Sequence, residues 1–130
     1  MVRIALALAV VALATGQALA AGDVPAGELV FADKCASCHS MSAEDAKRGP
    51  VLINMIDRPA ATVEGFSYSD AMKEAAQAGL VWDIDTLSAF LTKPRKVVNG
   101  SFMNFTGLSK PDDVANVIAY LATYSPPPTQ

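Results

Sequence analysis

Cys35, Cys38 and His39 fall within five consecutive residues, and the 130-residue chain has no other cysteine and no other histidine. Four kinds of chemistry use such residues. A Cys35–Cys38 disulfide closes so small a loop that it staples almost nothing. A thioredoxin-like dithiol needs a strand–helix setting and a βαβ pattern, and neither is present. Structural zinc takes four ligands, and the cluster supplies three. The fourth reading uses all three side chains: Cys-x-x-Cys-His is the attachment sequence for haem through two thioethers. Two cysteines three apart share one side of a helical turn, so both can reach the vinyl groups of one porphyrin, and the adjacent imidazole meets the iron from that side.

With one histidine, an iron held by two imidazoles of this chain is excluded. Met41 is confined to the side of His39. Met72 lies in the helix-like stretch "DAMKEAA", where packing accounts for it. Met55 falls in a loop that geometry alone leaves open. Met103 is the best candidate for the opposite side, because it stands far along the chain in an irregular stretch between Gly100 and Gly107. A methionine elsewhere is more often a core filler.

The elements that must position these residues read as short helices. The first begins near Pro25, with Leu29, Val30 and Phe31 giving an apolar side. The segment 43–66 holds Gly49-Pro50 and Pro59 and reads mainly as loop. Ser69 caps a short helix that Gly79 closes, and Asp83 caps another that Pro94 ends. "RKVVNGSFMNFTGL" reads as irregular. The last helix follows Ser109 as its expected cap, with Val114, Val117, Ile118 and Leu121 in one stripe. Strand-like alternation is nearly absent, so the expected class is all-α, one small domain. Loops this long in so short a chain need something to wrap. A flat apolar cofactor fills that role.

Residues 1–20, "MVRIALALAVVALATGQALA", have a basic start, an apolar run and small residues ending Ala18-Leu19-Ala20. They read as an export signal cut after Ala20. The run is short for a bilayer core of about 30 Å. Residues 21–130 then form the mature domain, with 125–130 a proline-rich tail. Removing Arg3 leaves nine basic residues against thirteen acidic, a net charge of −4 with His39 neutral. An acidic chain argues against nucleic acid as a partner. A soluble, exported, periplasmic monomer without stable membrane insertion is expected.

The chain resembles the class I c-type cytochromes, in particular the mitochondrial cytochrome c and bacterial cytochrome c2 group. "CASCH", Gly49-Pro50, "GFSYSDA", Trp82 with "DTLSAFL", "GSFMNFTGL" and "VIAYL" carry the resemblance over nearly all of the mature chain. It implies a cytochrome c fold, with N- and C-terminal helices crossing where Gly27 and Phe31 meet Val117 and Tyr120. It implies one haem c on Cys35 and Cys38, with His39 and Met103 as iron ligands. Pro50 would hold His39 through its carbonyl. Arg58, Tyr68 and Trp82 would surround a buried propionate, with Ser101 near the other. Phe90 stands where many relatives have a tyrosine, Asn99 replaces a proline and Asp57 a glycine.

The resulting expectation is a one-electron Fe(II)/Fe(III) carrier between redox proteins and not an enzyme, since ligands on both sides leave the iron no open position. Lys93, Arg95 and Lys96 form a candidate partner face, with Lys47, Arg48 and Lys73 as further cations. Two alternatives come from other classes. One is a haem enzyme or gas sensor with an open or labile distal site; the other is a haem-free secreted binding module with paired cysteines.

Overall fold

The structure is a computed structural model that describes residues 22–125. The expected export signal and all of the proline-rich tail beyond Ser125 lie outside the described residues. Five helices follow in order: α1 Val24–Lys34, α2 Asp70–Gln77, α3 Ile84–Thr92, α4 Pro94–Val97 and α5 Pro111–Ala122. Among the described residues no strand forms, and a single bridge pairs Pro59 with Val81. The all-α expectation therefore agrees with the architecture.

Most helix starts follow from local chemistry. Asp23 accepts from the Ala26 amide at 2.7 Å and opens α1, with Pro25 in its first turn. Ser69 Oγ accepts from Met72 N at 3.1 Å, and Asp83 accepts from Thr86 N at 2.8 Å. Each satisfies an amide that the first turn leaves without a partner. Gly79, at φ +95°, follows the last residues of α2 in the left-handed conformation that ends helices.

Two expectations need correction. Ser109 does not cap α5: the residue before its first turn is Lys110, with no side-chain cap bond, and Pro111 sets the start by fixing φ. The stretch after Pro94 is not wholly irregular. Pro94 ends α3 and at once begins α4, because it cannot donate to the preceding turn but fits the first turn of the next.

The first and last helices are fastened together where α1 crosses α5. Gly27 makes the crossing possible, since a Cβ there would run into the Asn116 carbonyl and lie 2.9 Å from Tyr120 Cβ. Phe31 and Tyr120 then meet at a tilt of 47° with ring centres 5.4 Å apart, and Asn116 Oδ1 accepts from Asp23 N at 2.8 Å. Val114, Val117, Ile118 and Leu121 bury the inner stripe of α5. Each contributes about 1.5–3 kcal/mol by leaving water. No helix among the described residues is long and apolar enough to cross a membrane.

Candidate functional site

Inside this frame lies a cavity of about 640 Å³. Helices α1, α2, α3 and α5 and both long loops contribute to its wall, through residues such as Phe31, Met72, Leu87, Phe90, Val117 and Leu121. Protein interiors pack as densely as organic crystals, with few voids larger than a water molecule. A central space this large, lined mainly by carbon, is a seat for an apolar group.

On one side, the turn after α1 presents the reactive residues. The amides of Cys38 and His39 both donate to Cys35 O, at 3.0 and 2.9 Å, so the cluster forms one tight turn whose side chains line the cavity. The two cysteines are not bonded to each other. Burial pushes the Cys35 thiol up to about 11, so before attachment it is protonated at neutral pH. Lys47 Nζ reaches Ala36 O at 2.8 Å and braces the turn.

His39 is buried, and its Nδ1 lies 2.8 Å from Pro50 O. A carbonyl can only accept, so Nδ1 carries the proton and donates. This leaves Nε2 with the lone pair. Burial lowers the imidazole pKa and the Pro50 carbonyl partly opposes it, so the ring is held neutral. Gly49 makes this approach possible: a Cβ there would lie 2.5 Å from His39 Cε1. The Gly49 amide also donates to Cys38 O at 2.7 Å. The sequence pointed to Gly49-Pro50 as a loop marker; the glycine's closeness to the imidazole emerges only from the fold.

A second part of the wall is the segment after α4. From Ser101 to Thr106 exposure alternates, with Ser101, Met103 and Phe105 half-buried and Phe102, Asn104 and Thr106 exposed, although Phe102 and Asn104 also border the cavity. That is the period of extended chain. Met103 thus lines the cavity that His39 also lines, and its amide donates to Ser101 Oγ at 3.2 Å. Met55 and Met72 line it too, both buried, whereas Met41 does not.

Arg58, Tyr68, Trp82, Ser101, Pro50 and Phe90 are all brought to this one cavity. Arg58 donates from Nη1 to Ile53 O at 3.0 Å and from Nη2 to Val51 O at 3.3 Å. Burial lowers its pKa, but a guanidinium starts so high that it remains a cation. Trp82 exchanges backbone bonds with this loop: Trp82 N donates to Arg58 O and Asp57 N to Trp82 O, both at 2.9 Å. Its indole meets Phe90 edge-on at 4.8 Å. Asp57 takes φ +61°, so it occupies the left-handed conformation that a glycine adopts at no cost.

Lys93, Arg95 and Lys96 are exposed around the start of α4, and none of them lines the cavity. The cations that do line it are Lys34, Arg48 and Arg58. Among the further candidates, Lys47 is engaged with Ala36, and Lys73 pairs with Asp70 at 2.7 Å.

A helical wrap around one cavity, with Cys-x-x-Cys-His on its wall, defines a covalent haem protein. A family model described as cytochrome c matches residues 24–125. Cytochrome c2 of Rhodomicrobium vannielii is 46% identical over 111 residues, covering 84% of this chain and 85% of its own. Cytochrome c of Chlamydomonas reinhardtii is 43% identical over 102 residues, covering 78% and 88%. The solved structure of cytochrome cH from Methylobacterium extorquens superposes with a TM-score of 0.71 at 40% identity, covering 78% of this chain and 99% of that one. The chain belongs to the cytochrome c family. It carries one haem c through Cys35 and Cys38 and is a monohaem electron carrier that works with redox partner proteins.

Proposed function

We propose that the protein is an exported, soluble, monomeric carrier whose iron is held by His39 Nε2 and Met103 Sδ, and that it is not an enzyme. When bound, haem c supplies one redox-active iron that gives and takes a single electron. The chain's own residues set the terms. Pro50 O fixes the imidazole with its lone pair on Nε2. Met103 offers a soft thioether, which favours the reduced metal and raises the potential. Arg58 spends two guanidinium protons on Val51 and Ile53 carbonyls, and the remaining ones can meet a propionate. The apolar walls exclude water and keep charge rearrangement small.

The observation that carries this reading is that His39, with its free nitrogen lone pair, and Met103, from an extended segment over 60 residues later, line one cavity. Optical spectra of the oxidised and reduced holoprotein, repeated for Met103→Ala and Met55→Ala, test it. Met103→Ala is expected to lose the long-wavelength ferric–thioether band and to lower the potential, with Met55→Ala keeping both. The reverse result assigns the ligand to Met55.

Exposed Lys93, Arg95 and Lys96 on and beside α4 supply the partner face in this reading. Association with an acidic redox partner should slow as salt rises, because charge placement governs the encounter. A flat salt response removes that face. Secretion of the haem-loaded chain, with Ala21 or a nearby residue as its new N-terminus, tests the export signal.

A further inference from the structure

Four asparagines stand in the chain, Asn54, Asn99, Asn104 and Asn116, and only Asn99 precedes a glycine. Asn99 and Gly100 are both exposed, at the outer corner of a turn between α4 and the Met103 segment. Gly100 lies at φ +99°, the conformation of the third residue in a type II turn. One bond closes that turn, Ser101 N to Val98 O, and at 3.4 Å it is at the long edge of what counts as a hydrogen bond. Among the described residues, neither the Asn99 side-chain amide nor the Gly100 N–H has a hydrogen-bond partner.

We propose that Asn99-Gly100 is a self-modification site, at which the chain converts Asn99 to aspartate and isoaspartate and so loosens the segment carrying Met103. The step balances without a redox partner. Gly100 N loses its proton to solvent and attacks Asn99 Cγ; the new N–C bond forms as the Cγ–Nδ2 bond breaks, and the departing nitrogen takes a proton back from solvent and leaves as ammonia. Water then opens the cyclic imide. Opening at Cγ gives aspartate; opening at the backbone carbonyl gives isoaspartate, with the chain running through the side-chain carboxyl. Glycine favours the attack because no Cβ crowds its nitrogen. The turn has to open for Asn99 Cγ to reach that nitrogen, and a single long hydrogen bond opposes the opening. A proline at position 99 would stiffen this corner, and asparagine leaves it free to turn.

The consequence falls on the part of the cavity wall that carries Met103. Isoaspartate adds a methylene to the backbone two residues before Ser101, whose Oγ holds the Met103 amide. It also adds a negative charge three residues after Lys96. This second half of the proposal rests on Met103 being the iron ligand; the first half does not.

The test ages the holoprotein in mildly alkaline buffer and maps peptides by mass, with isoaspartate read by enzymatic methylation. Asn99 is expected to lose its amide before Asn54, Asn104 and Asn116, with isoaspartate found at position 99 alone. Asn99→Gln, whose longer side chain closes a less favourable ring, is expected to stay unmodified under the same treatment with its spectrum intact. Loss at another asparagine first, or an unmodified Asn99 after the rest have reacted, overturns the site. The aged fraction, separated by its extra negative charge, is expected to lose the ferric–thioether band at lower pH than the fresh protein. An unchanged pH midpoint in that fraction overturns the loosening. If Met103→Ala retains the band, the ligand assignment has failed while the mass result still decides the modification.

Discussion

The two walls of the cavity are built differently. The His39 side is a web of short backbone bonds: Cys38 and His39 to Cys35 O, Gly49 to Cys38 O at 2.7 Å, Leu52 to Ser40 O at 2.9 Å, and the imidazole to Pro50 O at 2.8 Å. The Met103 side hangs between two anchors. One is the loose 3.4 Å turn at Val98–Ser101; the other is Leu108 N to Leu91 O at 2.8 Å. Between them a single side-chain bond, from Met103 N to Ser101 Oγ, holds the segment. The contrast teaches that the His39 side is stiff by construction, while the Met103 side has few bonds to hold it. Local opening free energies vary across a fold, and segments with few internal bonds open first.

The contrast can be broken most severely at Gly49. In Gly49→Ala the new Cβ has no room beside His39 Cε1, so the imidazole shifts and its bond to Pro50 stretches. Overpacking of this kind costs about 1–3 kcal/mol. Chemical denaturation of the holoprotein should show the loss, and the spectrum should report a disturbed histidine.

Gly107→Ala attacks the second anchor of the other wall. Gly107 sits at φ +108° with the Thr92 carbonyl against its α-hydrogens, so a side chain is strained and also collides. Cyanide binding to the ferric protein should speed up markedly, with His39 signatures unchanged. If Gly107→Ala disturbed the histidine side equally, the two walls would not be mechanically separate.

Ser101→Ala is a gentler version. It removes the hydroxyl that accepts from Met103 N, which costs about 1 kcal/mol. The pH at which the ferric–thioether band is lost should fall.

The smallest effect is expected in acid. Hydrogen bonds from Thr86 hold the Asp83 carboxylate below its ordinary value of 3.8. A depressed carboxylate contributes stability above the unfolded pKa, and that contribution disappears as pH falls through the folded one. Below about pH 4, α3 should therefore loosen, and with it the Leu91 carbonyl that anchors Leu108. Asp83→Asn should flatten this part of the acid profile.

Much of the stiff wall was legible from the sequence, because its chemistry is local. Cys35, Cys38 and His39 are neighbours, and Ser69 and Asp83 announce their helices within three residues. The caps at Ser69 and Asp83 need nothing beyond their own first turn. Where the reading failed, a local signal had two meanings. Pro94 both ends α3 and starts α4; Pro111, rather than Ser109, decided where α5 begins. The alternation of Ser101, Met103 and Phe105 was hidden among glycines, since only a wall to press against makes an extended segment choose its faces. The role of Gly49 was out of reach for a related reason. A clash with His39, ten residues earlier, exists only once the loop has folded back.

The hollow centre sets how the protein can be counted. At about 24 cal/mol per Å³ of void, leaving such a hole empty would cost on the order of 15 kcal/mol. That equals the top of the usual range for the folding free energy of an entire domain, even if invading water recovers part of it. A polypeptide without its pigment is therefore expected to be much less stable and to be cut by proteases that spare the loaded protein. Absorbance of a digested preparation, set against total protein before digestion, then measures what fraction of the chains ever matured.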